Sequence, residues 1–327
     1  MEEKTLQQIF EETRAAALAG DAQAQYQLAY LYDRGEGTAT APNKASVWYA
    51  LAAEQGYPPA RSEFAMLLLR KVQPSAKEEG VRLLRLSADA GDAQAMFRLG
   101  ECFRKGWGTE RDLSASIGWY TLAAQAGNAQ GAYALALLCL NGEEGFAQDK
   151  ETGLNWLRQA AEQGYGEALC LTGKLYETGD GVPQDEKKAY EYYCAAQSAQ
   201  CGEGAFRAAR LQEEGVGTEK NVEEAVKGYR SAGDSGYTHA YYYLGRCYAL
   251  GIGVAADAKQ AIFQWRHGAR LGDAPCMYIA GYCYETGFGV TVDTELALYC
   301  YMEAHFRGDA RALKAFDRLK ETLSART

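Results

Sequence analysis

Residues 21–56 read DAQAQYQLAYLYDRGEGTATAPNKASVWYALAAEQG, and this stretch decides the fold. Asp21 follows a glycine and is placed to cap a helix, because its carboxylate can accept hydrogen bonds from the first free backbone amides. Apolar residues then recur with helical spacing up to Gly35-Glu36-Gly37, a turn in which glycine permits a positive φ. A second helix carries the pair Trp48-Tyr49 and closes at Gly56. The stretch therefore predicts two short helices joined by a glycine turn.

The same pattern recurs along the chain. Closing glycines stand 35 to 37 residues apart if Gln200 takes the place of one of them: Gly20, Gly56, Gly91, Gly127, Gly164, Gly236, Gly272 and Gly308. We predict a single solenoid domain over 1–327, with a capping helix in 1–20, eight helix-turn-helix repeats of about 36 residues in 21–308 and a second capping helix in 309–327. Each helix is too short to be stable alone and must bury its apolar face on its neighbours. The predicted fold class is all-α, a right-handed α/α superhelix.

Three repeats depart from the pattern. Residues 69–74 replace the glycine turn of the second repeat, which leaves the turn geometry open but keeps the helix pair. In the fourth repeat the turn is stretched to Gly142-Glu143-Glu144-Gly145. Gly228 stands where a tryptophan is expected in the sixth repeat, so we expect looser packing there.

The unit resembles the Sel1-like repeat, a relative of the tetratricopeptide repeat. The resemblance rests on Ala24-Gln25-Tyr26-Gln27-Leu28, on the segment from Tyr32 to Gly37, on Lys44-Ala45 with Trp48-Tyr49, and on Tyr176 to Val182 in the fifth repeat. It covers about residues 15–320. The resemblance implies a scaffold or adaptor that assembles complexes and binds peptides or protein surfaces, without catalysis.

Composition excludes several function classes. The chain has 327 residues and a formal net charge of −9, which disfavours non-specific nucleic-acid binding. No apolar run approaches the roughly 20 residues that span a bilayer. Because the first residues lack a secretory signal, we expect a cytoplasmic protein without membrane insertion. Nine cysteines without a Cys-x-x-Cys pair, and only three histidines, argue against zinc, and we predict no metal or cofactor.

Two alternatives to a general scaffold remain open. Cysteine-rich members of the resembled family are described as β-lactam binders or hydrolases, but Ser75 precedes Lys77 by one residue too few for a Ser-x-x-Lys motif. The Gly-x-Gly turns are not phosphate loops, because they recur from repeat to repeat and no Gly-Lys-Ser/Thr follows them. The other alternative is an immunity or inhibitor protein that neutralises a bacterial effector, a role that the sequence permits.

A partner surface is predicted on the first helix of each repeat, which lines the concave side in right-handed helical-repeat solenoids. If each repeat is numbered from the residue after its closing glycine, registers three, seven, ten and fourteen face this groove. These registers hold eight basic and five acidic residues, a positive excess in a negatively charged chain. We therefore predict that the groove binds a protein segment that carries acidic residues or a free C-terminal carboxylate.

The predicted partner-binding residues include arginine and tyrosine, the types that often dominate interfaces. They are Arg98, Leu137, Leu171, Lys174, Arg207, Arg210, Tyr243, Arg246 and Tyr282. Arg207, Arg210 and Arg246 are the expected anchors for a carboxylate. The alternative is that these charges pair with one another along the surface, Arg98 with Glu101 for example, and form an ordinary solvated face.

Overall fold

The computed structural model describes residues 5–143 and 146–324, and the chain divides into two compact units at Ala160/Ala161. The described residues form eighteen helices and one isolated bridge between Glu143 and Phe146. The helices are α1 Leu6–Leu18, α2 Ala22–Arg34, α3 Pro42–Glu54, α4 Pro58–Leu69, α5 Pro74–Asp89, α6 Ala93–Lys105, α7 Leu113–Gln125, α8 Ala129–Asn141, α9 Lys150–Glu162, α10 Gly166–Thr178, α11 Glu186–Ser198, α12 Gly202–Glu214, α13 Val222–Asp234, α14 Ala240–Leu250, α15 Ala258–Arg270, α16 Ala274–Thr286, α17 Thr294–Phe306 and α18 Ala312–Ser324.

Many of the helices begin and end at the residues that the repeat pattern predicts. Asp21 accepts a hydrogen bond from the Ala24 amide at 2.6 Å and starts α2, and Asp185 accepts from the Lys188 amide at 3.0 Å and starts α11. α2 ends at Gly35, which has a left-handed φ of 74°. Eight helix pairs, from α2–α3 to α16–α17, confirm the eight repeats, and α1 and α18 flank them. Gly145 of the stretched turn lies outside the described residues, as do residues 1–4 and 325–327 of the predicted capping segments.

Aromatic rings of the second helices rest on glycines of the first helices. Tyr120 lies against Gly100 so closely that a Cβ added to this glycine would overlap the ring. The same contact recurs in three other repeats, between Gly173 and Tyr193, Gly245 and Trp265, and Gly281 and Tyr301. A side chain at any of these glycines would push the two helices of the repeat apart.

The departures from the pattern alter the packing less than the sequence suggests. α4 ends at Leu69 and α5 begins at Pro74, so the second repeat keeps its helix pair. The expectation of loose packing at Gly228 is wrong. This glycine is buried, and a Cβ there would lie 2.8 Å from the Cβ of Ala209. At the place of the missing tryptophan, α13 packs directly on Ala209 of α12.

The second compact unit, from Ala161 onward, holds most of the predicted site residues. Each helix from α10 to α18 packs against the next one in the chain. First helices of successive repeats also touch directly, α10 with α12 and α14 with α16. These contacts place the first helices side by side. The surface formed by α10, α12, α14, α16 and α18 is called the A face below.

Candidate functional site

A hydrogen-bonded triad of tyrosine, glutamate and arginine recurs along the A face. Tyr229 on α13 is completely buried and donates its hydroxyl to Glu213 of α12 at 2.6 Å. Arg246 of α14 donates to the same carboxylate at 2.5 Å. One triad therefore connects both helices of a repeat to the first helix of the next repeat.

Two more triads occur at the same registers. They are Glu177 with Tyr193 and Arg210, and Glu285 with Tyr301 and Arg318. In each triad the tyrosine follows the glutamate by 16 residues and the arginine follows it by 33. A glutamate followed by a tyrosine after 16 residues and by an arginine after 33 residues is therefore the sequence signal of a triad. This signal is missed when each register is examined separately.

The triad is interrupted between α14 and α16, where all three members are replaced. Ala249 takes the place of the glutamate, Trp265 that of the tyrosine and Tyr282 that of the arginine. The Trp265 indole donates instead to the backbone carbonyl of Tyr242 at 3.1 Å. Tyr282 is 45% exposed. Its neighbour one turn away on α16, Ile279, is half-buried.

Two residues of α14 complete an uncharged patch around this interruption. Tyr243 and Ala249 are half-buried and pack, like Ile279, against the apolar cluster of these repeats. The patch formed by Tyr243, Ala249, Ile279 and Tyr282 is called the triad gap below. It lies between the Glu213–Arg246 pair and the Glu285–Arg318 pair of the neighbouring triads.

The predicted cations of the A face are paired with carboxylates of the chain. Arg207 contacts Glu203 at 3.0 Å and Glu177 at 3.4 Å. Arg210 contacts Glu177 at 3.5 Å, and Lys174 contacts Glu203 at 2.7 Å. Burial raises the pKa of Glu203, but the hydrogen bonds from Lys174 and Arg207 outweigh this effect, so the pKa is lowered. The A face therefore displays shared ion pairs, as the solvated-face alternative expects.

Arg98 and Leu137 belong to the first compact unit and so are not among the residues of the A face. Arg98 donates to Glu63 at 2.8 Å, so the expected pairing with Glu101 is wrong. Glu101 instead contacts Lys105 and accepts the hydroxyl of Tyr120. Leu137 is half-buried on α8. The other predicted residues lie along the A face of the second unit: Leu171, Lys174, Arg207, Arg210, Tyr243, Arg246 and Tyr282.

The predicted positive excess depends on leaving out register thirteen. This register holds the triad glutamates, and across the eight repeats it contains four acidic residues and one basic residue: Asp33, Glu177, Glu213, Glu285 and Arg104. Their net charge of −3 cancels the excess of eight basic over five acidic residues in the other four registers. Summed over these five registers, the first helices of the eight repeats therefore carry no net charge, and in the second unit glutamates of register thirteen reach arginines of register ten.

A second polar cluster lies where α14, α16 and α18 begin. His239 Nδ1 is 3.0 Å from Asp273 Oδ2, and the His239 ring stacks on Tyr242 with centroids 5.7 Å apart. Arg311 lies over the Tyr278 ring and contacts the carboxylate of Asp309 at 2.6 Å. Burial raises the pKa of Asp273, but its hydrogen bonds to His239 and to Cys276 outweigh burial, so the pKa is lowered.

Two clefts of the second unit lie along its second helices. One, of about 600 Å³, is lined mainly by α13 residues such as Glu223 and Arg230. Another, of about 380 Å³, is lined by residues of α15, α16 and α17, including Arg266 and Tyr299. The described residues contain no cluster of three or more His, Cys, Asp or Glu side chains placed to hold a metal ion. None of their helices has the length and apolarity that a bilayer crossing requires.

Comparison with known proteins identifies the repeat. A family model described as Sel1 repeat matches residues 22–57, 72–92, 93–128, 129–165, 166–196, 202–237, 238–273 and 274–304. A solved Sel1 repeat protein from Oxalobacter formigenes is 23% identical with a TM-score of 0.68, over 98% of this chain and 95% of its own. The protective antigen c5321 of uropathogenic Escherichia coli, which displays an SLR fold, is 25% identical with a TM-score of 0.64, over 96% of this chain and 68% of its own.

Curated relatives match shorter stretches. The uncharacterized protein NMB1327 of Neisseria meningitidis is 32% identical over 151 residues, which is 46% of this chain and 31% of that protein. Chitin synthase regulatory factor 3 of Schizosaccharomyces pombe is 31% identical over 127 residues, 38% of this chain and 14% of that protein. The chain thus spans about a third or less of the length of these relatives.

Proposed function

We propose that this chain, which belongs to the Sel1 repeat family, is a non-enzymatic scaffold or regulator that binds a partner protein on the A face of its second unit. Sel1 repeat proteins are generally protein-interaction scaffolds. The triad gap is the observation that carries the proposal, because there Tyr282 is 45% exposed and stands where the other triads have an arginine paired with glutamate.

The chemistry of the gap suits a protein anchor. Tyrosine offers a large apolar ring with few rotatable bonds, and buried tyrosines are frequent hot spots of interfaces. A partner side chain that covers Tyr282 and Ile279 desolvates apolar surface and breaks no ion pair of the chain. We therefore propose an apolar or aromatic side chain of the partner as the central contact.

Arg207, Arg210 and Arg246 belong to the rim of the proposed surface. A partner carboxylate that reached them would exchange with Glu177, Glu203 or Glu213 instead of meeting a free guanidinium. Such an exchange adds little net affinity, although charges at a rim steer association and fix orientation. The predicted acidic segment or free C-terminus would therefore supply orientation while the triad gap supplies most of the affinity.

A matched pair of tyrosine variants tests this proposal. Tyr282 on the A face and Tyr299 on α17 are both exposed, by 45% and 62%, and Tyr299 lines a cleft along the second helices. After a partner has been captured from cells that express the chain and mapped by crosslinking mass spectrometry, its dissociation constant is measured. We expect Tyr282→Ala to raise Kd about 30-fold or more, as a hot spot of about 2 kcal/mol implies, and Tyr299→Ala to change it less than about two-fold.

Two results would contradict the proposal. If Tyr299→Ala weakens binding and a folded Tyr282→Ala does not, the partner lies along the second helices. If Arg207→Ala/Arg210→Ala/Arg246→Ala weakens binding far more than Tyr282→Ala, the contact depends on charge and not on the triad gap. The cytoplasmic location and the immunity or inhibitor role stay predictions from the sequence.

A further inference from the structure

We propose that Cys201 and Cys170 form a peroxide-sensitive dithiol, which closes to a disulfide between the first helices of the fifth and sixth repeats. Cys201 is the residue that the peroxide modifies, and Cys170 resolves the product. The proposal rests on the position of Cys201 at a helix N-terminus, on the contact between the two thiols and on a glycine that permits this contact.

Cys201 occupies the N-cap position of α12. In four other repeats this register holds a side chain whose oxygen accepts backbone hydrogen bonds: Asp21, Asp92, Asn128 and Asp273. The neutral Cys201 thiol makes no such capping bond. Its sulfur nevertheless faces the backbone amides of Glu203 and Gly204. A thiolate there takes the place of the usual capping oxygen, and the helix N-terminus stabilises its negative charge.

Cys170 of α10 brings the second thiol into contact. It is buried, and its thiol lies next to that of Cys201. Both cysteines belong to one apolar cluster that α10, α11 and α12 share. Gly166 makes the approach possible, since a Cβ there would lie only 2.9 Å from the Cβ of Cys201. The two sulfurs are thus already neighbours in the reduced protein.

The surrounding groups make the two thiols unequal. The hydrogen bond from Cys170 is the main cause of the lowered pKa of Cys201; burial and Glu167 oppose it, and the amides at the start of α12 assist it. The pKa of Cys170 is raised, because it donates that hydrogen bond, because it is buried and because Glu203 lies near, against a smaller opposite effect of Lys174. Cys201 is therefore the nucleophile and Cys170 the neutral thiol that follows.

The reaction balances with hydrogen peroxide as the oxidant. The Cys201 thiolate attacks one peroxide oxygen, an S–O bond forms as the O–O bond breaks, and the departing hydroxide takes a proton and becomes water. The Cys170 sulfur then attacks the sulfenic acid of Cys201. The S–S bond forms, the S–O bond breaks, and the hydroxyl group leaves as water with the Cys170 proton. The two thiols lose two electrons, and the peroxide is reduced to two waters.

The first test measures thiol reactivity in the reduced full-length chain. A substoichiometric amount of iodoacetamide is added at pH 7, and labelled peptides are quantified by mass spectrometry. Cys194 and Cys300 are the references, because they are the other partly exposed cysteines. We expect Cys201 to react at least about ten-fold faster than either, since the thiolate is the reactive form. Equal rates at the three cysteines would overturn the proposal.

The second test follows oxidation by hydrogen peroxide, with digestion under non-reducing conditions. We expect a peptide that links Cys170 to Cys201 as the main disulfide product, and its absence would overturn the proposal. Cys201→Asp is the matched control: it restores the usual capping residue, so its helical circular dichroism should be unchanged and no link should form. In Cys170→Ala we expect slower alkylation of Cys201 at pH 7 and a sulfenic acid at Cys201 that dimedone traps.

Discussion

Removal of the Glu213 carboxylate is expected to destabilise α12, α13 and α14 together. Glu213 accepts the Tyr229 hydroxyl at 2.6 Å and the Arg246 guanidinium at 2.5 Å, and Tyr229 is completely buried. Glu213→Ala leaves this buried hydroxyl without its acceptor, at a place where the carboxylate side chain is only 17% exposed. It also removes the ion-pair partner of Arg246, whose side chain is 33% exposed.

The magnitude follows from the burial of each partner. A buried hydroxyl left unpaired costs about 1–3 kcal/mol, and a partly exposed ion pair contributes about 1 kcal/mol or less. We therefore expect Glu213→Ala to lower the local free energy of unfolding by about 1–4 kcal/mol. Tyr229→Phe removes the donor together with its need for an acceptor, and should cost about 1–2 kcal/mol. The double variant should cost less than the sum by about 1 kcal/mol, because no hydroxyl is then left unpaired.

Native-state hydrogen exchange, followed peptide by peptide, is the suitable assay because repeat proteins can unfold in parts. Tyr282→Phe is the control: it removes the same atom from an exposed tyrosine and should change stability by less than about 0.5 kcal/mol. The reasoning fails if the backbone amides of α12 to α14 exchange as slowly in Glu213→Ala as in the wild type. It also fails if the two substitutions are additive, since the triad then has no energetic coupling.

Two further outcomes are expected in urea unfolding followed by circular dichroism. A Cβ at Gly245 would overlap Trp265, so Gly245→Ala should lower the free energy of unfolding by about 2–3 kcal/mol. Gly118 is the control, because no atom lies within 4 Å of an added Cβ there, and Gly118→Ala should raise the free energy of unfolding by about 0.5–1 kcal/mol. A loss of stability in both variants would contradict the inference that Gly245 is needed for the close approach of Trp265. The carboxyl pKa values of Glu203 and Asp273 are lowered in the folded chain from their ordinary values of 4.5 and 3.8. Both carboxylates therefore stabilise the fold when the pH is above these ordinary values, and this contribution is lost as the pH falls through the lowered pKa values of the folded chain. Stability should thus hold from pH 7 to about 5 and then fall, and the fall should be shallower in Asp273→Asn; an unchanged slope would exclude a contribution from Asp273.

The helices are predictable from the sequence because their signals are local. Asp185 lies within one turn of the amide that it accepts from, and Gly35 ends its helix by its own left-handed conformation. The register that brings Gly100 beneath an aromatic ring is also visible, because it recurs at the repeat period. Each of these features can be recognised from a single sequence position or from its recurrence at the repeat period.

The pairing of the candidate site is harder to predict because its partners lie on three helices. Arg246 looks like a free cation if register ten is read alone, and its acceptor Glu213 lies 33 residues earlier. The same applies to Arg98, which pairs with a glutamate of the preceding repeat 35 residues away and not with its near neighbour Glu101. The two residues of each of these contacts are separated by nearly one repeat period. Such contacts can be found in the sequence only when the registers of adjacent repeats are compared with each other.

The triad gap follows from the same coupling between repeats. Replacement of one triad member alone leaves a polar group of another member without its partner. With Ala249 in place of the glutamate, for example, both an arginine and a buried tyrosine hydroxyl would have no acceptor. Simultaneous replacement of all three avoids that cost, and Trp265 satisfies its own donor on a backbone carbonyl. The gap is therefore compatible with a stable fold in the absence of a partner. Because a partner that covers Tyr282 and Ile279 breaks no ion pair, it is also the part of the A face where a partner gains the most from burying apolar surface.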